Sequence, residues 1–591
     1  MQVRTVSVPT HRIRFAICFA LAFCSLVDHA QNLPPSPAAA SDSPAQAEIR
    51  ALVPPAEEDP DHFGSVNVPM DSWIYPALDR LADMGYIPSQ DLAIRPWSRL
   101  ECMRQTKEAQ SIIADSLADG AGPDAAAVEA NRIVAALNTE LSERPGEGAV
   151  VLESAYARVG TIAGPTLTDG YHFGQTWWND FGRPLARGTS ASAGFSVRAS
   201  RGRYFFYNRQ ELQQDPGVTA LTPGQTQFIY NIDWFGTPNA PAFIPPVTSA
   251  VYTRQRPLEL YAGMAFGGNA LSFGKQEIYW GPTVIGPIAF SSNAEPTYNL
   301  RLMSTRPHPF PFVPSWGSYR FDLVFGKLSG HKYPARPYFN GQKIELTLGP
   351  DFEVSFTRWS ILWGAGHPMT LHSLKDNLFS ANSTSNGTYQ YGDRSDPGDR
   401  KSDFDMRLHV PYTNHIVTIY ADDELNPIDA PRRVIWSPGI YLSRLPYLPK
   451  ADLRVEAVSS EELSQDECCS RFFFNNQYRD ANLNKGFLLG TAVGRDARAV
   501  EGRLGYWFTP RTRFEAGYRQ DKISENFLAH GGTISDGFIN ATYNINPQWT
   551  AHLFAQYERF FIPQYLAGYQ HNESGWFDIT WTPKLHILKQ K

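Results

Sequence analysis

From residue 501 to the C-terminus, apolar and polar positions alternate in segments joined by alternately tight and long connections. Leu504, Tyr506 and Phe508 alternate with Arg503, Gly505 and Trp507. Thr509, Pro510 and Arg511 make a short turn, and Phe514, Ala516 and Tyr518 then alternate with Arg513, Glu515, Gly517 and Arg519. That is a hairpin with one apolar face. A looser stretch, 520–536, separates it from a second hairpin, Ile539 to Ile545 and Trp549 to Tyr557, turning at 546–548. After another long loop, Phe577, Ile579 and Trp581 close the series. Outer-membrane barrels sort their connections in this way, with short periplasmic turns and long outer loops, and a soluble sheet has no reason to. The alternate face carries Arg, Glu, His, Asn and Gly, which suits a watery lumen, and aromatics near strand ends suit interfacial girdles. A soluble β-sandwich with one solvated face is the competing reading of the same periodicity.

The same rhythm continues upstream. Strands are expected near 150–159, at 194–207, 258–266, 271–280, 319–327, 343–349, 352–359, 404–412, 416–421, 439–445 and 453–457. Tyr319, Phe321, Leu323 and Phe325 against Arg320, Asp322 and Val324 are representative. Each is near the roughly 9–11 residues that cross a bilayer at a tilt. Between them, 211–256, 281–317, 364–402, 422–437 and 459–485 read as long loops rich in Pro, Asn, Asp and Gly, and loops of this length usually carry function.

Ahead of the strands the period changes to helical. Ile74, Ala77, Leu78, Leu81 and Met84 share one face of a first helix, with Gly85 placed as its C-terminal cap. Ser98 and Glu101 form a capping box for a second helix containing Leu100, Met103, Ile113 and Leu117. A third uses Val128, Ile133, Val134, Leu137 and Leu141. The expected organisation is a secretory signal (1–30), a flexible tether (31–60), a periplasmic helical bundle (61–148), a membrane β-barrel (149–583) and a C-terminal tail (584–591). The signal rests on Arg4, Arg12 and Arg14 before an apolar run too short to span a bilayer. Pro, Ala, Ser and acidic residues dominate the tether.

Composition sharpens this picture. Aromatics are 13% and charged residues 19% of the chain, the latter below the ~25% of soluble domains. A formal net charge of -6 recommends no nucleic-acid partner. Of 5 cysteines, Cys18 and Cys24 fall in the signal. Cys102, Cys468 and Cys469 make neither a disulfide framework nor a metal-ligand spacing, and no cofactor is called for. No spaced nucleophile and base motif stands out, so the chain is not read as an enzyme.

Two motif stretches point further. Val68-Pro69-Met70-Asp71-Ser72-Trp73-Ile74-Tyr75, with Leu78-Asp79-Arg80-Leu81 and Gly85-Tyr86-Ile87, resembles the first half of a surface-layer-homology motif, which binds cell-wall polymers in the families that carry it. Only one copy is visible, and Trp73, Tyr75 and Leu78 can equally pack the bundle or close a barrel mouth. Phe273-Gly274-Lys275-Gln276-Glu277-Ile278-Tyr279-Trp280-Gly281-Pro282, then Ser291-Ser292-Asn293-Ala294-Glu295-Pro296 and Leu300-Arg301-Leu302, together with Arg95-Pro96-Trp97-Ser98-Arg99-Leu100-Glu101-Cys102, resemble the Wzi family of capsule-assembly proteins. The resemblance implies a closed outer-membrane barrel of about eighteen antiparallel strands with a small periplasmic helical bundle. It also implies a lectin-like role in holding capsular or extracellular polysaccharide. Aromatic faces and planar hydrogen-bonding groups suit sugars, so the candidate polysaccharide-binding residues are Lys275, Glu277, Tyr279, Trp280, Asn293 and Arg301, with Arg306 and His308 available to complement acidic sugars. The expected partners are that polysaccharide, outer-membrane lipids and a cell-wall polymer at the helical segment. The alternative function is a diffusion porin with a cell-wall-interacting N-terminal segment.

Overall fold

The structure, a computed structural model, describes residues 62–118, 125–142, 148–233, 249–384, 389, 391–425, 434–461, 472–473, 475 and 477–589. The expected signal, the tether, Cys468 and Cys469 lie outside the described residues.

Eighteen antiparallel strands close into one barrel. In chain order they are β1 (Ala149–Ile162), β2 (Gly188–Arg201), β3 (Tyr204–Asp215), β4 (Tyr252–Phe266), β5 (Asn269–Gln276) and β6 (Thr297–Ser304). Next come β7 (Ser318–Lys327), β8 (Tyr338–Leu348), β9 (Phe352–Leu362), β10 (Asp399–His409), β11 (Val417–Leu425) and β12 (Val434–Leu442). The last are β13 (Ala451–Ser459), β14 (Ala497–Thr509), β15 (Thr512–Ile523), β16 (Gly532–Asn546), β17 (Trp549–Ile562) and β18 (Leu566–Trp581). Each pairs with the next, and residues 155–162 of β1 pair with 574–581 of β18, so the ring has no open edge. The expected tail is in part a strand: Leu585–Lys589 lies against residues 149–152 and lengthens the same seam.

Side chains point the opposite way from those of a soluble sheet. On β7, Arg320 and Asp322 are fully buried inside, while Leu323 on the outer surface is exposed. Phe273, Tyr298, Leu504 and Phe577 are likewise exposed on the outside. An apolar exterior around a charged interior is stable only where the solvent outside is lipid, which removes the β-sandwich reading. No described helix is long and apolar enough to cross a membrane, so the strands do the crossing.

Tight turns at 202–203, 267–268, 349–351, 510–511 and 547–548 gather at one end, and the long connections 163–187, 216–251, 277–296, 363–398 and 460–496 at the other. Several strands differ from the sequence reading: the one expected at 271–280 leaves the wall after Gln276, and parts of the expected loops 211–256 and 422–437 belong to β3, β4, β11 and β12. The segment read as one strand, 194–207, is a hairpin turning at Gly202, whose φ of 53° places it in the left-handed region, and β6 lies within what reads as a loop. Two of the long connections also contain short helices, α4 (Pro223–Ile232) and α5 (Leu371–Phe379), each opened by a threonine capping box.

The helical bundle, α1 (Ile74–Asp83), α2 (Arg99–Ala118) and α3 (Ala125–Glu140), sits under the short-turn end. Ile74, Ala77, Leu78, Leu81 and Met84 are all buried against Ile113, Ile133, Val134 and Leu137. Gly85, at φ 86°, ends α1 as expected. Half of the second helix's capping box forms: Ser98 Oγ accepts from the Glu101 N–H at 3.1 Å, while the Glu101 carboxylate takes Arg104 and Gln105 instead. Val128, expected in the core, is on the surface. The bundle is fastened to the barrel: Arg80 donates to the Pro449 carbonyl at 2.6 Å and lies over the Trp507 ring, Arg511 lies over Trp73, and Lys584 donates to the carbonyls that end α3. Trp73, Tyr75 and Leu78 are thus turned onto the protein. Because short turns face the periplasm in such barrels, so does the bundle.

Candidate functional site

A segment that leaves the barrel wall leaves its ladder of hydrogen bonds and must find donors and acceptors elsewhere. At Gln276 the chain turns off β5 into the lumen, and residues 277–296 cross it. From the opposite mouth, residues 90–98, between α1 and α2, enter and meet this loop as a two-stranded ribbon, Ile94 opposite Trp280 and Arg95 opposite Tyr279. Gly281 donates to the Ala93 carbonyl at 2.9 Å, with a φ of 133° that brings the backbone against Pro287 and Asp422.

The wall supplies the remaining partners. Glu345 and Glu353 accept from the N–H groups of Ala93 and Leu92 at 2.7 and 3.2 Å. Glu456 accepts from Val284 and Ile285 at 2.9 and 2.6 Å, and Asp422 from Ile288 at 2.8 Å. These inward carboxylates, which the sequence reading places against water, instead hold the backbone of a plug by charge-assisted bonds.

The six candidate residues all lie in this plug or the wall behind it, and all are buried. Arg301 on β6 joins four segments. It grips Asp322 of β7 with two nitrogens at 3.0 and 2.7 Å and donates to the Glu277 carbonyl at 2.9 Å and the Arg95 carbonyl at 3.1 Å. Trp280 donates to the same Asp322 at 2.7 Å and meets Phe290 edge-on, while the Glu277 carboxylate accepts from Ser292. Tyr279 donates to the Thr283 carbonyl at 2.5 Å. The structure therefore brings Glu277, Tyr279, Trp280 and Arg301 together. Lys275 stands apart, paired with Glu295. Burial acts to raise the Glu295 carboxyl, but Lys275 and Arg256 beside it bring it down to about 2. None of the six presents surface to a polymer. Arg306 and His308 fall on the 305–317 connection, at the bundle end.

Asn293 connects the plug to the outer end. Its side chain accepts from Gln175 Nε2 at 2.7 Å, while Phe181 and Gly182 donate to the Ser292 and Asn293 carbonyls at 2.7 and 2.9 Å, which clamps the 163–187 loop onto the plug. Phe181 pays for that clamp with a φ of 55°, unusual for a bulky side chain. Between this loop and the outer ends of β1, β2 and β3 lies a small cleft open to solvent. Trp177 and Pro184 give it an apolar wall, and Ser190, Ser192, Gln213 and Asp215 line the other sides.

Its two arginines are already answered. Arg158 makes a bidentate pair with Asp180 at 2.7 Å and stacks on Trp576 at 4.2 Å, and Arg183 binds Glu211 at 2.7 Å. Trp177 is fixed by its donation to Ser574 at 3.0 Å. The sequence reading passed over this site. Its signal is the run Trp177-Trp178-Asn179-Asp180-Phe181-Gly182-Arg183, dense in aromatic and planar polar groups but without periodicity. A second fixture holds the loop from above: His172 lies between Asp169 at 2.7 Å and Asp233 at 3.1 Å, and although burial pulls its pKa down, the two carboxylates carry it up to about 9.

A search of the curated proteins found no match to the sequence. Among solved structures, the chain is similar to Wzi of Escherichia coli, described as an outer-membrane protein involved in group 1 capsule assembly and a carbohydrate-binding β-barrel. The TM-score is 0.62 at 14% identity, covering 88% of this chain and 100% of that one. Weaker likenesses are to OprD of Pseudomonas aeruginosa (TM-score 0.38, 9% identity, 75% and 97% covered) and OccAB1 of Acinetobacter baumannii (0.40, 8%, 73% and 97%). Residues 157–574, from the middle of β1 into β18, match the family described as capsule assembly protein Wzi, and the chain belongs to that family.

Proposed function

We propose that this outer-membrane barrel binds capsular or extracellular polysaccharide at its outer end and retains it at the cell surface without chemical change. The observation that carries this reading is the pairing of a filled lumen with an open outer cleft. A lumen crossed by two interlocked segments favours holding over diffusion, and so disfavours the porin alternative. The cleft's apolar wall and ring of amide, hydroxyl and carboxylate groups suit a pyranose. The charge balance of Arg158 and Arg183 leaves it directed at hydroxyls. The description of the Escherichia coli relative as carbohydrate-binding points the same way.

In this reading the six candidate residues of the plug and the wall behind it act indirectly, with Asn293 positioning the loop that carries Trp177. A cell-wall polymer at the helical segment would need a face other than Trp73, Tyr75 and Leu78. Ser192→Trp tests the proposal by filling the cleft from a strand of the wall. Cells carrying it are expected to release polysaccharide into the medium while the purified barrel keeps its heat-modifiable migration. Full retention of polysaccharide by such cells would overturn the proposal.

A further inference from the structure

The outward surface of β14 to β18 departs from the apolar exterior just where the strands reach the long-loop end. Arg498 is the second residue of β14 and Lys522 the last but one of β15, and the two stand directly opposite each other on the lipid side. Two strands on, Arg559 of β17 stands opposite His571 of β18. The side chains of Arg498, Lys522, Arg559 and His571 are all exposed. Glu461 answers only Arg498, at 3.8 Å, and Glu573 lies one pleat deeper, opposite Tyr557. Lys522 and Arg559 make no ion pair among the described residues, and Arg559 lies flat over the Tyr569 ring at 4.3 Å.

Immediately below, towards the membrane centre, the same face turns apolar and aromatic, with Val500, Leu504, Tyr518 and Tyr557 exposed. Around the other side the corresponding outer-end positions Phe273, Tyr298, Tyr338 and Trp436 are aromatic and Lys327, between Tyr298 and Tyr338, is a single exposed cation. A cation exposed on the wall of a barrel at this height meets the head groups of the outer leaflet, where an arginine or lysine gains most from phosphate.

We propose that the lipid-facing row Arg498, Lys522, Arg559 and His571 is a binding site for a membrane-embedded glycolipid carrying two phosphates. Lys522 on β15 and Arg559 on β17 are two strand spacings apart, roughly 10 Å, so each can take one phosphate, with Arg498 beside the first and the His571 ring, hydrogen-bonded to the Tyr557 hydroxyl, beside the second, while the acyl chains lie along Val500, Leu504, Tyr518 and Tyr557. The site is on the outer wall, separate from both the plug and the cleft, and does not depend on what the cleft binds.

Native mass spectrometry of the full-length mature protein in detergent tests it, with bisphosphorylated lipid A, monophosphorylated lipid A, phosphatidylcholine and inorganic phosphate as probes. The wild-type protein is expected to retain the bisphosphorylated lipid best and phosphatidylcholine least. Lys522→Gln with Arg559→Gln should weaken retention of the bisphosphorylated lipid by about thirtyfold, the order expected when two near-surface cations are lost. Lys522→Arg with Arg559→Lys should restore it. Both neutralised residues point into lipid or detergent, so the barrel's heat-modifiable migration should not change. Equal retention by the neutralised variant would overturn the site. So would displacement of the lipid by inorganic phosphate at matching concentration, which would mark a general anion site instead.

Discussion

Replacing Arg301 by alanine should unlock the lumen without unfolding the barrel. The guanidinium is fully buried and holds Asp322, the Glu277 carbonyl and the Arg95 carbonyl at once. Its removal leaves Asp322 as a buried carboxylate with Trp280 as its remaining named donor. Breaking one side of a buried pair costs about 3–5 kcal/mol. The strands keep their ladders, so this loss falls mainly on the contact between plug and wall. At 1.4 kcal/mol per tenfold, the population of plug-displaced molecules should rise by a factor of roughly 10² to 4 × 10³. Planar-bilayer recording is the assay: wild-type protein should be nearly silent, and Arg301→Ala should show openings. Arg301→Met combined with Asp322→Leu removes the stranded charge along with its partner and should recover much of the silence. If Arg301→Ala gives a folded barrel as silent as the wild type, the plug does not depend on this bolt and the reasoning fails.

Two further outcomes follow from groups outside the membrane-spanning strands. His172 has a folded pKa of about 9, raised above its ordinary 6.5, so the stability it contributes is complete below about pH 6.5 and is lost as pH rises through about 9. Hydrogen exchange of residues 166–176 should therefore quicken between pH 8 and 10 after correction for intrinsic rates, and His172→Gln should flatten that dependence. The thiol of Cys102 is buried in the helical bundle, and burial pushes its pKa up, so maleimide should label it only after denaturation. Labelling at the rate of an exposed thiol in the native protein would contradict the packing of α2 within the bundle.

Much of this architecture is legible in the sequence because a membrane barrel imposes a strict period on its wall. Tyr319 to Phe325 read correctly as one face of β7, and the tight turns at 510–511 and 547–548 were visible as turns. The pattern failed where both faces carry the same kind of residue. In Tyr204-Phe205-Phe206-Tyr207, Phe205 and Tyr207 point inwards and Tyr204 and Phe206 outwards, so no alternation marks the start of β3 and the hairpin at Gly202 merges into a single strand. β6 is short and bounded by Pro296 and Pro307, which disguises it as loop. The candidate site was harder still. An inward Glu345 or Glu456 has the same spacing whether it meets water or the backbone of a plug, and which of these it meets is decided by loops that have no period. Four of the six motif residues, Glu277, Tyr279, Trp280 and Arg301, come together in the interlock of the two plug segments with the wall. The surface cleft beside them is made by the aperiodic run from Trp177 to Arg183.

The pairing of β1 with both β18 and Leu585–Lys589 bears on how the molecule can be put together. The cylinder is sealed by residues 574–589, which follow residues 90–98 and 277–296 in the order of synthesis. Until that last seam zips, the ring is an open sheet with a long gap through which inner segments can settle sideways. Afterwards they can enter only through the mouths. Assembly thus has a built-in order, contents first and closure last, written into the position of one C-terminal strand.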